Sequence, residues 1–176
     1  MRLFLALDLP EEIKTQIESL YLDEYSHIRW MSAEQLHLTL VFIGAQNNVP
    51  LDDLIQKIAE IEFQPFSLST REIGYFNSGV IWLGIEENNL LQQLQKKLRQ
   101  KLEELDLNLE RRKFTPHITL GRTKKVDADF MEHLSNHAFG FNCSWLVDSF
   151  QLKSSHLKKS GALYETEAEF QLAPND

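Results

Sequence analysis

The chain predicts an α+β fold of two pseudo-twofold-related lobes, each a mostly antiparallel sheet with outer helices, around a central groove. Three observations lead there. The tetrapeptide His37-Leu38-Thr39-Leu40 is echoed 80 residues later by His117-Ile118-Thr119-Leu120. Period-2 and period-3.6 hydrophobic patterns alternate along the whole length, as they do when helices cover sheets. The same offset of 80 also carries strand, long helix, His-x-Thr strand, shorter helix and strand onto one another in order.

Arg2 to Asp8 alternates as a strand, and Pro10 opens a helix from Glu11 to about Tyr25, at a position where a missing amide costs little. Leu36 to Ile43 reads as a buried strand and Leu51 to Ile61 as a helix. Phe66 to Ile73 and Val80 to Ile85 read as strands joined through the turn-rich Phe76-Asn77-Ser78-Gly79. Asn88 to Leu105 is the longest amphipathic helix, with Leu91, Leu94, Leu98 and Leu102 on helical spacing. The His117 strand follows, then a helix from Asp127 to about Asn136 and strands Trp145 to Leu152 and Leu163 to Leu172.

No linker or low-complexity tract divides the 176 residues, so residues 1–176 are expected to form one domain of two intimately packed lobes. The content, 43% apolar and 25% charged, is that of a soluble globular protein. Cys143 is the only cysteine and reads as a small buried hydrophobe, so a disulfide within the monomer is excluded. Asp8 and Pro10 interrupt the first apolar stretch short of a signal-peptide core, and no run reaches membrane-spanning length. A cytoplasmic monomer without membrane association is the expectation.

A net charge of -8 argues against a protein that coats nucleic acid nonspecifically. The cations, however, are unevenly placed. Residues 1 to 88 hold 5 Lys+Arg against 14 Asp+Glu, whereas residues 89 to 176 hold 13 against 12. Arg111-Arg112-Lys113 precedes the second His-x-Thr unit, Arg122 with Lys124-Lys125 follows it, and Lys153 and Lys158-Lys159 come later. A single cluster reads as a solvated face; clusters around a His-x-Thr unit read as anion binding.

In a strand, residues i and i+2 share a face, so His37 and Thr39, and likewise His117 and Thr119, can approach one ligand. Imidazole has a pKa of about 6.5, so a pair of histidines can divide acid and base work near neutrality. In-line phosphodiester cleavage has that need, since the attacking and leaving oxygens lie on opposite sides of phosphorus. Thr39 and Thr119 are candidate donors to the non-bridging oxygens, and Arg122 could add a charge-assisted contact if its strand bends. The bland alternatives are strand-forming threonines and a surface ion pair for Arg122. Phe42 stands where the first unit would match Arg122.

His133 and His137 lie four apart on a predicted helix, but a helix end that favours cations explains them more simply than a metal. His27 and His156 have no supporting pattern, and Phe4 and Tyr164 read as core packing rather than base stacking. Zinc spacings, His-Glu-x-x-His, Gly-x-Ser-x-Gly and the P-loop are absent from the sequence, so neither a metal site nor a cofactor is expected.

The paired motifs resemble those of the 2H phosphoesterase superfamily, and most closely its bacterial RNA 2′,3′-cyclic phosphodiesterase branch, also called 2′-5′ RNA ligase. Arg2 to Pro10 looks like that family's opening strand and Arg29 to Leu36 like its approach to the first motif. Phe114-Thr115-Pro116-His117-Ile118-Thr119-Leu120-Gly121-Arg122 is similar to its second motif, and Gly161-Ala162-Leu163-Tyr164 to its closing segment. Val41 to Ala45 departs from it, where relatives often carry Lys first and an acid last. The resemblance implies metal-independent opening of RNA 2′,3′-cyclic phosphate ends to 2′-phosphomonoesters, with reversible 2′-5′ ligation as a second activity. It implies His37 as proton donor and His117 as proton acceptor. Two rival readings are a phosphodiesterase for small cyclic nucleotides or 2′-5′ oligonucleotides, and a noncatalytic RNA- or nucleotide-binding module.

Overall fold

The computed structural model describes residues 1–45 and 48–175, and within them the predicted alternation of strands and helices is present. In chain order the elements are β1 (Arg2–Asp8), α1 (Glu11–Glu18), β2 (Arg29–Trp30), a 3₁₀ turn (Ala33–Gln35), β3 (His37–Gly44), α2 (Leu51–Ala59), β4 (Phe66–Tyr75) and β5 (Val80–Ile85). Then follow α3 (Asn89–Glu103), β6 (His117–Arg122), α4 (Ala128–His137), β7 (Ser144–Val147), β8 (Ser149–Lys158) and β9 (Gly161–Gln171).

The helices form where sequence and capping agree. Pro10 and Pro50 stand at the N-caps of α1 and α2, each followed by two acidic residues in the first turn, where the helix dipole favours negative charge. Asn88 caps α3 by accepting from the Leu91 amide at 3.0 Å, and Asp127 caps α4 by accepting from Asp129 at 2.8 Å. All four leucines on the α3 stripe are fully buried. That helix packs against β3 and α2, and α4 packs against β4. None of the described helices is long and apolar enough to cross a membrane.

The strands pair antiparallel in the order β7-β4-β5-β6-β3-β1-β8-β9, with β2 added on β6. The order is symmetric about the β3–β6 junction: β1 flanks β3 as β5 flanks β6, then β8 matches β4. The lobes are therefore not the two contiguous halves of the sequence. β4 closes the first repeat yet pairs with β5, and β8 closes the second yet pairs with β1. This exchange interlocks the repeats through a shared core of Leu5, Leu7, Leu38, Leu83, Ile118, Leu120 and Leu152, all buried.

Two elements differ from the sequence expectation. The first helix ends at Glu18 rather than near Tyr25, because Tyr21 leaves the helical path to stack on Trp30, ring centroids 4.6 Å apart, and donates its hydroxyl to the Met31 carbonyl. Long-range packing there overrides helix propensity. The strand expected over Trp145 to Leu152 is two strands broken at Asp148, since β7 pairs with β4 and β8 with β1 on opposite sides of the sheet. The buried role expected for Cys143 holds: its amide donates to Thr70 Oγ1 at 3.0 Å.

Candidate active site

Alternation along β3 buries Leu38 and Leu40 and turns His37 and Thr39 to the groove; β6 does the same with Ile118 and Leu120 below, His117 and Thr119 above. β3 and β6 run antiparallel with Leu38 opposite Ile118. That register sets His37 toward Thr119 and Thr39 toward His117, so the four groove-facing groups form one quartet with the pseudo-twofold axis through its centre.

The histidines are held alike. His37 Nδ1 lies 2.7 Å from the Gln35 carbonyl oxygen, and His117 Nδ1 lies 2.7 Å from that of Thr115. A carbonyl only accepts, so Nδ1 carries the proton in both rings and each Nε2 is an acceptor on the groove face. Their surroundings differ. His37 Nε2 is 3.0 Å from Thr39 Oγ1, and its ring is enclosed by Phe4 and Tyr164 at 5.1 and 5.0 Å between centroids. His117 meets Phe76 edge-on at 5.2 Å and fronts an open cavity.

Burial pushes the pKa of His37 down to about 4, opposed by its bond to the Gln35 carbonyl. The nearby Lys153 charge lowers it further, Asp8 raises it, and the His117 charge lowers it slightly. Lys153 is itself buried, with Nζ 2.9 Å from Asp8 Oδ1 and donating to Thr166 Oγ1 at 3.1 Å. Asp8 is the cross-strand partner of His37 on β1.

The bend that Arg122 needs is a pair of β-bulges at equivalent positions. Between β5 and β6 the register passes from Ile81↔Gly121 to Trp82↔Thr119, leaving Leu120 extra; between β1 and β3 it passes from Leu5↔Val41 to Ala6↔Thr39, leaving Leu40 extra. Each bulge buries two successive residues and shifts the alternation by one, which brings Arg122 and Phe42 onto the face of the His-Thr pairs. Arg122 lies at the His37 end of the site, where its charge and that of Arg29 act on Tyr164; burial raises the Tyr164 pKa and the two arginines oppose that. Phe42, 60% exposed, lines the cavity that His117 fronts, its ring 6.2 Å from that of Phe4.

The other histidines stay apart from the quartet. Tyr25 Oη bonds His133 Nδ1 at 2.8 Å while His137 donates to the Ser19 carbonyl at 3.0 Å, so the spaced pair on α4 has separate partners. His156 pairs with Glu165 at 3.2 Å and Ser154. The sequence reading missed the part of Lys153 and Asp8. A lysine inside the run Phe150-Gln151-Leu152-Lys153 was the available signal, but it reads equally as a surface cation.

The family model of the 2′-5′ RNA ligase superfamily matches residues 9–158, a span that includes both His-Thr pairs and both bulges. The chain belongs to the 2′-5′ RNA ligase superfamily. Among superfamily members it is 32% identical, over 174 residues, to the RNA 2′,3′-cyclic phosphodiesterase of Archaeoglobus fulgidus, covering 94% of this chain and 97% of that one. It is 32% identical over 167 residues to the protein of the same name from Escherichia coli K12, covering 93% and 92% of the two chains. The crystal structure of E. coli LigT in apo form superposes with a TM-score of 0.81 at 28% identity over 98% of each chain. That likeness carries the whole curled antiparallel sheet and its helices.

Proposed function

We propose that this superfamily member hydrolyses terminal 2′,3′-cyclic phosphates on RNA to 2′-phosphomonoesters, with His117 as general base and His37 as general acid. The observation that carries the reading is the matched pair of Nδ1 anchors, which leaves two Nε2 atoms on one groove face beside two hydroxyls. The names of the relatives at about a third identity support the choice of substrate.

The two histidines are suited to different halves of the reaction. A ring whose pKa is about 4 is a weak proton acceptor, and once protonated a strong donor. His37 therefore fits the leaving oxygen. A bound phosphate brings the negative charge that favours the imidazolium and loads its proton. His117 fronts the open cavity, where the nucleophile arrives, and its Nδ1 anchor leaves Nε2 free to take the proton from water. Water forms a bond to phosphorus, the P–O3′ bond breaks, and the His37 proton goes to O3′. Thr119 donates to the non-bridging oxygens, as does Thr39 once protonation of His37 releases its hydroxyl from Nε2, and Arg122 supplies charge at the His37 end. All these groups come from one chain, so the site needs no second copy, which supports a monomer.

The test is turnover of a short RNA ending in a 2′,3′-cyclic phosphate, in excess EDTA and across a pH series, with the monoester identified. A 2′-phosphate product is expected. His37→Ala and His117→Ala should each lower kcat by about 10²–10⁴ while the far-UV circular dichroism stays that of the parent. Parent-like turnover by either variant would sink the two-histidine mechanism.

A further inference from the structure

Behind the groove, the hairpin of β8 and β9 carries a second cluster of titratable groups, which the reaction above does not use. Lys153 and Tyr164 stand on the groove face, with Phe4 and His37. Alternation therefore puts Ser154 and His156 on the opposite face of β8, and Glu165, the cross-strand partner of Ser154, beside them. A third ligating group joins through a β-bulge. The register passes from Leu152↔Ala168 to Lys153↔Thr166, which leaves Glu167 extra and lets its Oε1 accept from the Ser154 hydroxyl.

The cluster holds more acceptors than protons. Ser154 is fully buried, and its one hydroxyl proton goes to Glu167. His156 Nε2 lies 3.2 Å from Ser154 Oγ and 3.2 Å from Glu165 Oε2, and a single N–H serves only one of them. Two carboxylates thus face one imidazole, and among the described residues neither forms an ion pair with a lysine or arginine. One ligand atom from each of His156, Glu165 and Glu167 lies within 4.8 Å of the other two.

We propose that His156, Glu165 and Glu167 form a zinc site that clasps β9 to β8 on the face away from the catalytic groove. Zinc takes imidazole nitrogen and carboxylate oxygen at about 2.0–2.2 Å, so a tetrahedral shell has edges of about 3.3 Å. The separation of 3.2 Å between Nε2 and Glu165 Oε2 matches such an edge. The donor set separates zinc from the hard cations: calcium and magnesium ask for larger shells of oxygen and water, whereas imidazole suits zinc. Ser154 is the outer support, since its hydroxyl fixes the direction of a carboxylate that binds the ion. The acidic ligands flank Thr166, which accepts from Lys153, and adjoin Tyr164, which encloses His37. The ion thus holds the edge strand of the sheet where that strand backs the groove, and it stands outside the reaction because its ligands point the other way. No sequence spacing announces the set, because strand pairing and a bulge bring it together.

The test titrates protein freed of metal by EDTA, then buffer-exchanged, with zinc chloride against a chromophoric chelator, beside urea titrations with and without the ion. Zinc should bind at about one equivalent and raise the urea midpoint, as a ligand of the folded state does, while magnesium chloride should do neither. His156→Gln and Glu167→Gln should each weaken zinc binding by more than the roughly tenfold that loss of an outer-shell partner costs, and abolish the midpoint shift. Glutamine at 167 keeps an oxygen for the Ser154 hydroxyl, so the bulge is retained, and far-UV circular dichroism checks the fold. Turnover of cyclic-phosphate RNA in EDTA should stay within about twofold of the parent in both variants, which separates this site from the catalytic pair. His133→Gln, on α4, should leave zinc binding unchanged. Uptake that survives both hairpin variants, or is lost with His133→Gln instead, would overturn the site. So would equal binding of magnesium, which needs no imidazole, or no uptake at all, which would leave His156 and Glu165 as a plain ion pair.

Discussion

Leu38 lies opposite Ile118 at the junction of β3 and β6, and this pair is the pivot about which the two half-sites are related. Both side chains are fully buried beneath the histidines and threonines that alternate with them. Leu38→Ala should destabilise the protein by about 2–5 kcal/mol, the usual result of deleting a buried leucine. A urea titration reads it as a lower midpoint with unchanged slope. Little change in the midpoint would mean that the junction carries less of the core than its burial indicates.

The threonine hydroxyls are separable from the strand. Valine keeps the β-branched shape that suits β3 and β6, so Thr39→Val and Thr119→Val remove only a donor. Each should lower kcat by about 10²–10³, the typical loss for one oxyanion donor. Thr115→Val is the control, because it is the Thr115 carbonyl, not its side chain, that orients His117. Equal losses in all three variants would point to the strand rather than the hydroxyls.

The quartet was legible in the sequence because its signal is local: His-x-Thr between apolar residues in a strand fixes which side chains share a face. Helix α3 was legible for a similar reason, through the spacing of Leu91, Leu94, Leu98 and Leu102. What the sequence hides depends on partners distant along the chain. The bulges at Leu40 and Leu120 exist only in relation to β1 and β5, so neither the rise of Arg122 onto the groove face nor the exposure of Phe42 could be read from β3 and β6 alone. The exchange of β4 and β8 between repeats is likewise a property of pairing. So is the placement of Lys153 behind His37, 116 positions away in sequence.

The enclosure of His37 makes stability depend on pH. Its pKa is about 4 in the folded chain against an ordinary 6.5, so the unfolded chain takes up the proton first as pH falls. The contribution is fully present above pH 6.5 and is lost progressively as pH drops toward 4. Between pH 7 and 4.5 the parent should lose on the order of 1–3 kcal/mol more than His37→Gln, measured as the difference in urea midpoints. Inorganic phosphate, by favouring the imidazolium, should shrink that difference. Parallel pH curves for parent and variant would show that the ring is not kept neutral by its surroundings.

Asp8 and Lys153 act on His37 with opposite sign, and that separates an electrostatic role from a packing one. Lys153→Met removes a cation and leaves the Asp8 carboxylate alone beside the ring, so the His37 pKa should rise. Asp8→Asn leaves the Lys153 ammonium alone, so it should fall below its parent value. Lys153→Arg keeps the charge and should restore most of the parent titration. The His37 Cε1–H resonance, followed by NMR across the acid range, reads all three directly. Shifts of the same sign in Lys153→Met and Asp8→Asn, or none in either, would mean that the pair holds β8 against β1 and leaves the proton affinity of His37 to burial.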